Sequence, residues 1–316
     1  MNRFVADPHW GWWIVSYFFL GGVAAGSYFM AALGELIGSE DDRRLIRPAY
    51  YLAFPLVVIC GLLLVADLTR PERFWHMLIY SETGRPMFKP WSPMSVGAWA
   101  LMVFGGISGL SFAGALAEDG RCGLGRWTSF SRRLHQGIVG RSFSIIGSLS
   151  GFFIASYTGA LLTATNQPIW SDSPWIAPLF LASAASTGIA ALLLLAQRSV
   201  AVGPQQDAAR PRAPAVSAAL HRLESADHWA IGLEILVLGA FLLSLGGALL
   251  PFLNSHAGLL LAGSVVIGMI VPPGLHRFGK PSSFAVQLAT PACVLAGGLL
   301  LRVALLRAAP AMLAAG

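Results

Sequence analysis

Apolar residues do not alternate along this chain; they come in long runs broken by short polar stretches. Eight runs stand out, at roughly 10–37, 48–68, 93–116, 142–165, 175–197, 229–252, 257–273 and 286–308. A helix needs about 20 mostly apolar residues to cross the hydrocarbon core of a bilayer. The pattern predicts an all-α polytopic transmembrane bundle of about eight helices, one integral membrane domain over 1–316 that divides into two four-helix bundles. Pro48 and Pro93 open the second and third helices, and Pro272 with Pro273 shortens the seventh. Between the fifth and sixth, the segment 197–227 contains GPQQDAARPRAPA, a Pro/Ala/Arg stretch with no apolar period. It predicts a mobile cytoplasmic loop.

Composition agrees with a bilayer solvent. Of 316 residues, 55% are hydrophobic and 11% are charged, against about 25% charged in a soluble domain. The net charge of +6 would suggest nucleic acid in a soluble protein. Here it sets topology, and no nucleic-acid partner is expected. The loops after helices 1, 3, 5 and 7 hold fourteen of the Lys and Arg residues. The N-terminus and the loops after helices 2, 4 and 6 hold Arg3, Arg70, Arg73, Arg85 and Lys89. The basic side is predicted to be cytoplasmic, with the N-terminus on the periplasmic side. Arg302 and Arg307 are placed near the C-terminal end of the last helix. The first run is too long for the apolar core of a signal peptide and predicts a retained helix.

Candidate chemistry collects on the less basic side. Helix 1 begins there with Trp13 and Tyr17, helix 2 ends there with Asp67 and Arg70, and helix 4 ends there with Tyr157 and Asn166. An interfacial belt is the ordinary account of the aromatics, and an i,i+3 ion pair that of Asp67 and Arg70. Tyr157, more than two turns before Asn166, sits deeper than a belt requires. Aromatic and aliphatic walls, a few polar groups and access to lipid suit a flat ring with two carbonyl oxygens and a greasy tail, which describes a quinone. Three cysteines without a CxxC predict no iron–sulfur or zinc site in this chain. All seven histidines fall in loops or at helix ends, so no haem is expected.

Buried membrane carboxylates are commonly paired or belong to proton paths. Glu35 ends helix 1, and Asp227, His228 and Glu234 open helix 6, all on the basic side. Asp227 or Ser225 is expected to cap that helix. The candidate proton path is Asp67, Glu234, Glu35 and His228. In LGGVAAGSYF (20–29), Gly22 and Gly26 lie four apart, a spacing that lets helices approach closely. The loop Pro71–Trp91, with Arg73, Trp75, His76, Phe88 and Lys89, offers a mixed apolar and basic face to a partner. A transporter for a small solute or ion is the alternative from another class, and a passive anchor a third.

The segments LGGVAAGSYF, LVADLTRPERFWHML and PMFKPWSPMSVGAW together resemble the NrfD/PsrC family, the membrane subunits of polysulfide reductase and related respiratory complexes. The similarity is best over 10–175. It implies a quinone-reactive membrane anchor subunit of a respiratory molybdopterin/iron–sulfur oxidoreductase complex. Electrons would pass between a docked four-cluster iron–sulfur subunit, itself in contact with a molybdopterin catalytic subunit, and the quinone/quinol pool (menaquinone or ubiquinone). The resemblance implies an inner-membrane protein in contact with lipid, with its partners and quinone site on the periplasmic side. The family's helix-4 tyrosine falls on Tyr157. Its helix-1 histidine position falls on Tyr17, and its nearby asparagine near Ile14. Asp67 and Arg70 match the family's Asp–Arg segment, which implies Asp67 as proton donor or acceptor beside the quinone and Arg70 as the group that orients it. A link from Asp67 through Glu234 or Glu35 would add proton translocation.

Overall fold

The computed structural model describes residues 10–38, 47–120, 137–202, 213–278 and 283–315. Among the described residues the chain is helical and has no strands. The helices are α1 Trp12–Ile37, α2 Pro48–Asp67, α3 Pro93–Glu118, α4 Gly137–Thr163, α5 Ile176–Val202 and α6 Ala213–Ser244. The seventh, α7, runs in three pieces, His256–Ser264, Val265–Ile270 and Val271–Phe278, and α8 is Phe284–Ala315. Among the described residues, eight helices are long and apolar enough to cross a membrane, and the chain is a multi-pass membrane protein.

Two helices are central. The membrane-crossing windows of α1 and α5 are 72% and 78% buried, against 28% for α2. α1 packs on α2 and α4, which hold α3 between them, and α5 packs on α6 and α8, with α7 against α8. The two four-helix groups join where α5 lies on α1 and α4. That seam is closed by small residues. A side chain at Gly26 would overlap the Ala184 carbonyl, and one at Gly188 would overlap the backbone of Gly26 and Ser27. Small residues at a four-residue spacing allow this approach of backbones.

The helix boundaries depart from the sequence expectation in two places. The segment 197–227, expected as a loop, is largely helical: α5 runs to Val202 and α6 starts at Ala213. Only 203–212 separates them, and it lies outside the described residues. Asp227 is therefore deep in α6 rather than its cap, and neither is Ser225. Further, α7 passes through Pro272 and Pro273. A proline clashes with the carbonyl four residues before it, and those carbonyls fall in the π-helical turn Val265–Ile270. A wider turn leaves room for the rings. The same turn lies against α8, where Ser264 Oγ donates to the Gly297 carbonyl at 2.8 Å.

Candidate functional site

Four residues from four helices meet at one level beneath the less basic ends of the first bundle. At 1.5 Å per residue, Tyr17 lies about 8 Å past the start of α1, Cys60 about 10 Å before the end of α2, Gly97 about 6 Å past the start of α3 and Tyr157 about 9 Å before the end of α4. Tyr157 is buried and donates from its hydroxyl to the Pro93 carbonyl at 2.5 Å. Its ring stacks on Phe153 at 5.8 Å. Gly97 gives the Tyr157 ring its space, since a Cβ there would meet it. Tyr17 is 3% exposed, and the Cys60 thiol donates to its carbonyl at 3.7 Å. Cys60 and Tyr157 are the titratable groups close enough to act on the Tyr17 hydroxyl.

The other expected site residues stand nearer the aqueous end. Asp67 closes α2 and is exposed, as is Arg70, and no ion pair joins them. Trp13 is 53% exposed and Asn166 is also exposed. The turn that follows Asn166 is fixed by Ile169, a β-branched residue at φ 70°, whose N–H donates to Asp172 Oδ2 at 2.8 Å. It buries Trp170, which packs on Trp10 at 5.0 Å and donates from Nε1 to the Leu305 carbonyl at 2.6 Å. Trp170→Phe keeps an aromatic ring but removes that bond, while the Leu305 carbonyl retains its partner within α8. It is expected to cost about 0.5–1.5 kcal/mol, read as a lower thermal midpoint in detergent.

Outside these helix ends, residues 71–91 form a built surface. A 3-10 helix, Pro71–Met77, leads to a bridge between Ile79 and Pro86. Trp99 Nε1 anchors the loop through the Met87 carbonyl at 3.0 Å. Phe74, Trp75, Phe88 and Trp91 remain exposed on it. A groove of about 480 Å³ runs along the membrane face between α1, α2, α5 and α8, walled by Leu20, Leu52, Leu195 and Leu299 among other aliphatic side chains.

The four expected proton-path residues occupy separate surroundings. Asp67 is exposed at the less basic end. Glu35 accepts from Ser144 Oγ at 2.9 Å and also bonds Tyr50 within the first bundle. His228 is exposed, bonded to the Glu224 carbonyl, with its ring 5.1 Å from that of His276. Glu234 is buried in the second bundle, where Ser186 Oγ donates to it at 2.6 Å.

Beside Glu234 lies a residue that sequence reasoning assigned to the end of the last helix. Arg302 is 1% exposed and sits among α1, α5 and α8. Its Nε donates to the Phe18 carbonyl at 3.1 Å, and its Nη1 to Ser183 Oγ at 2.9 Å and the Gly298 carbonyl at 2.8 Å. A Cβ at Gly22 would sit 2.5 Å from Nη2, so that glycine houses a guanidinium. Ser183 also lies against the Glu234 carboxylate. Gly22, Ser186 and Glu234 each stand about 15 Å inside the less basic end of their helices, and Arg302 about 20 Å inside that of α8, near the middle of a core about 30 Å thick. The available signal was an arginine inside an apolar run, where a charge marks a packed or functional position. Among the described residues, no three His, Cys, Asp or Glu side chains are grouped to hold a metal ion.

Comparison with known proteins places these features in context. The family described as "Polysulphide reductase, NrfD" matches residues 5–314. A polysulfide reductase subunit of Wolinella succinogenes is 29% identical over 190 residues, 59% of this chain and 57% of that one. Protein NrfD of Escherichia coli is 27% identical over 250 residues, covering 75% of this chain and 71% of that one. A selenate reductase subunit of Mesobacillus selenatarsenatis is 30% identical over 105 residues, 33% of this chain and 22% of that one. The chain thus spans little more than half of the polysulfide reductase subunit and about a fifth of the selenate reductase subunit.

Proposed function

The chain belongs to the polysulphide reductase NrfD family, and from that premise we propose that it is the quinone-reactive membrane anchor of an oxidoreductase complex. The observation that carries the reading is the shared level of Tyr17, Cys60, Gly97 and Tyr157, with Asp67 above them at the end of α2. Quinone and quinol interconvert by two electrons and two protons. Tyr17 offers a hydroxyl with no hydrogen-bond partner among the described residues, free to bond a quinone oxygen. Tyr157 forms the opposite wall. Asp67, in contact with water, exchanges the proton with the ring, and Arg70 lies close enough in sequence to orient the carboxylate. The aliphatic groove begins at Leu20, one turn from Tyr17, and suits an isoprenoid tail.

The electrons come from or go to a partner seated on residues 71–91. Exposed Phe74, Trp75 and Trp91 with Arg73 and Lys89 have the aromatic and basic character of a protein interface. The names of the relatives, polysulfide and selenate reductase subunits, support an iron–sulfur subunit and a molybdopterin catalytic subunit as those partners. The lysine and arginine count supports the inner membrane with this face periplasmic.

Asp67→Asn in the complex purified with its native partners is expected to lower quinol-linked turnover about 100-fold, the scale of a positioned proton donor, while assembly persists. Turnover at the parental rate with an intact complex would make the protein a passive anchor. A second reading rests on the Arg302–Glu234 cluster, because transporters place their sites near mid-membrane. Saturable solute uptake by vesicles holding the protein without redox partners would establish it.

A further inference from the structure

The start of α3 touches both the Tyr157 wall and the surface loop, on opposite flanks. At about 100° per residue, Pro93 and Gly97 share one flank and Ser95 and Trp99 lie about 200° round the axis from them. The first pair faces α4. The Pro93 carbonyl accepts from the Tyr157 hydroxyl at 2.5 Å, and a Cβ at Gly97 would overlap that hydroxyl and its ring. The second pair faces the end of the loop. Ser95 Oγ accepts from the Lys89 N–H at 3.0 Å, and Trp99 Nε1 donates to the Met87 carbonyl at 3.0 Å. Residues 87–92 therefore double back along the first two turns of α3. Ser92 closes the fold-back by capping the helix, its hydroxyl accepting from the Ser95 N–H at 3.4 Å.

The two flanks differ in how firmly they are held. Ser95, Gly97 and Tyr157 are buried, and the missing side chain at Gly97 leaves no slack between α3 and the Tyr157 ring. Phe88 and Trp91 are 54% and 78% exposed, and Phe88 meets the Trp99 ring edge-on at 6.5 Å. A segment with few buried contacts and bonds near water opens locally at low cost. A partner that buries Phe88 and Trp91 ties the segment down, and the tie passes through Ser95 and Trp99 to the turn that holds Tyr157. Ordering a shared element for one ligand lowers the cost of ordering it for another, and the effect is reciprocal.

We propose that the first two turns of α3 couple the partner surface to the quinone corner: burial of Phe88 and Trp91 braces Tyr157, so that quinone binds more tightly to the assembled complex than to the chain alone. Ser95 and Trp99 are the positioning residues that carry the coupling. What occupies the two sites rests on the function proposed above; the mechanical link from Trp99 to Tyr157 does not.

Fluorine NMR of the full chain carrying 3-fluorotyrosine reads the link. The chain has six tyrosines, and Tyr157→Phe assigns the resonance. In the chain purified without partners, Trp99→Phe and Ser95→Ala are each expected to move or broaden the Tyr157 resonance. Those of Tyr50 and Tyr51, at the far end of α2, should stay in place. A Tyr157 resonance unmoved in both variants overturns the link. Adding the native partner subunits is expected to shift the same resonance in the parent and not in the double variant Ser95→Ala/Trp99→Phe. No shift while Phe88 and Trp91 become protected from oxidative footprinting, or an equal shift in the double variant, overturns the coupling. If Phe88 and Trp91 are not protected, the reading of the partner surface fails, and the spectra of the chain alone still decide the link. In the complex, Trp99→Phe is expected to raise KM for quinol about 10-fold, within the usual range of coupling between sites, and to lower kcat far less. An unchanged KM overturns the coupling. Should the parental complex show no quinol turnover, the reading of the quinone corner fails and the fluorine spectra still decide the link.

Discussion

Gly26→Val is expected to leave no stable folded protein. A Cβ at this position would overlap the Ala184 carbonyl and lie 2.7 Å from its carbon. The obstacle is backbone inside α5, so no rotamer relieves it. Gly188 presses back on Gly26 and Ser27 from the other side, which denies α1 a sideways escape. Overpacking a tight contact costs about 1–3 kcal/mol even where side chains can shift, and here the whole α1–α5 seam must open. Thermal unfolding in mild detergent and recovery of monodisperse protein measure the effect. Gly106→Ala in α3 is the contrast: nothing lies within 4 Å of the added methyl, and the exchange favours the helix by up to about 1 kcal/mol. Equal stability of the two variants would show that the seam is looser than described.

Arg302→Met is expected to have the second largest effect. It preserves much of the side-chain volume but removes the bonds to the Phe18 carbonyl and Ser183, and leaves Glu234 without a nearby cation. No ion pair within 4 Å joins Arg302 and Glu234, so the cost comes chiefly from the hydrogen bonds of a charged group, about 1.5–3 kcal/mol apiece. Arg302→Lys keeps the charge and loses the planar fork that reaches α1 and α5 at once. It should therefore fold better than the methionine variant and remain less stable than the parent. Comparing both in a background of Glu234→Gln isolates the electrostatic part. If removing Glu234 does not lessen the damage, Arg302 acts as a hydrogen-bonding clamp and not as a counter-charge.

The eight spans were legible because a bilayer imposes one requirement, a long apolar run, and the sequence states it directly. The glycines of LGGVAAGSYF signalled close packing, and Gly26 delivers it. The burial of Tyr157 was legible from its depth in the run. What the runs could not state is which residues share a level. That information lies in helix pairing, so Cys60 and Gly97 went unnoticed although they lie against Tyr17 and Tyr157. Asp227 was misplaced because Ala-rich 213–227 lacks an apolar period, yet alanine is the strongest helix former. Arg302 was counted as an end residue because the count concerned loops; its place inside α8 is a question of burial. Asp67 and Arg70, three apart, suggested a pair, and α2 ends between them, which removes the helical geometry such a pair needs.

The burial of α1 against α5 has a bearing on how the protein is made. α1 emerges well before α5, and its Gly26 face has no partner until α2, α3 and α4 have been made and α5 arrives. In that interval the face must remain against lipid, which its apolar surface permits and which the internal backbone hydrogen bonds of a helix allow. The pocket for the Arg302 guanidinium is completed later still, so the charged side chain finds its carbonyl ligands only once α8 has inserted against α1 and α5. A nascent polypeptide halted before α8 would hold Glu234 with no cation to answer it, which makes that truncated species a natural substrate for membrane quality control.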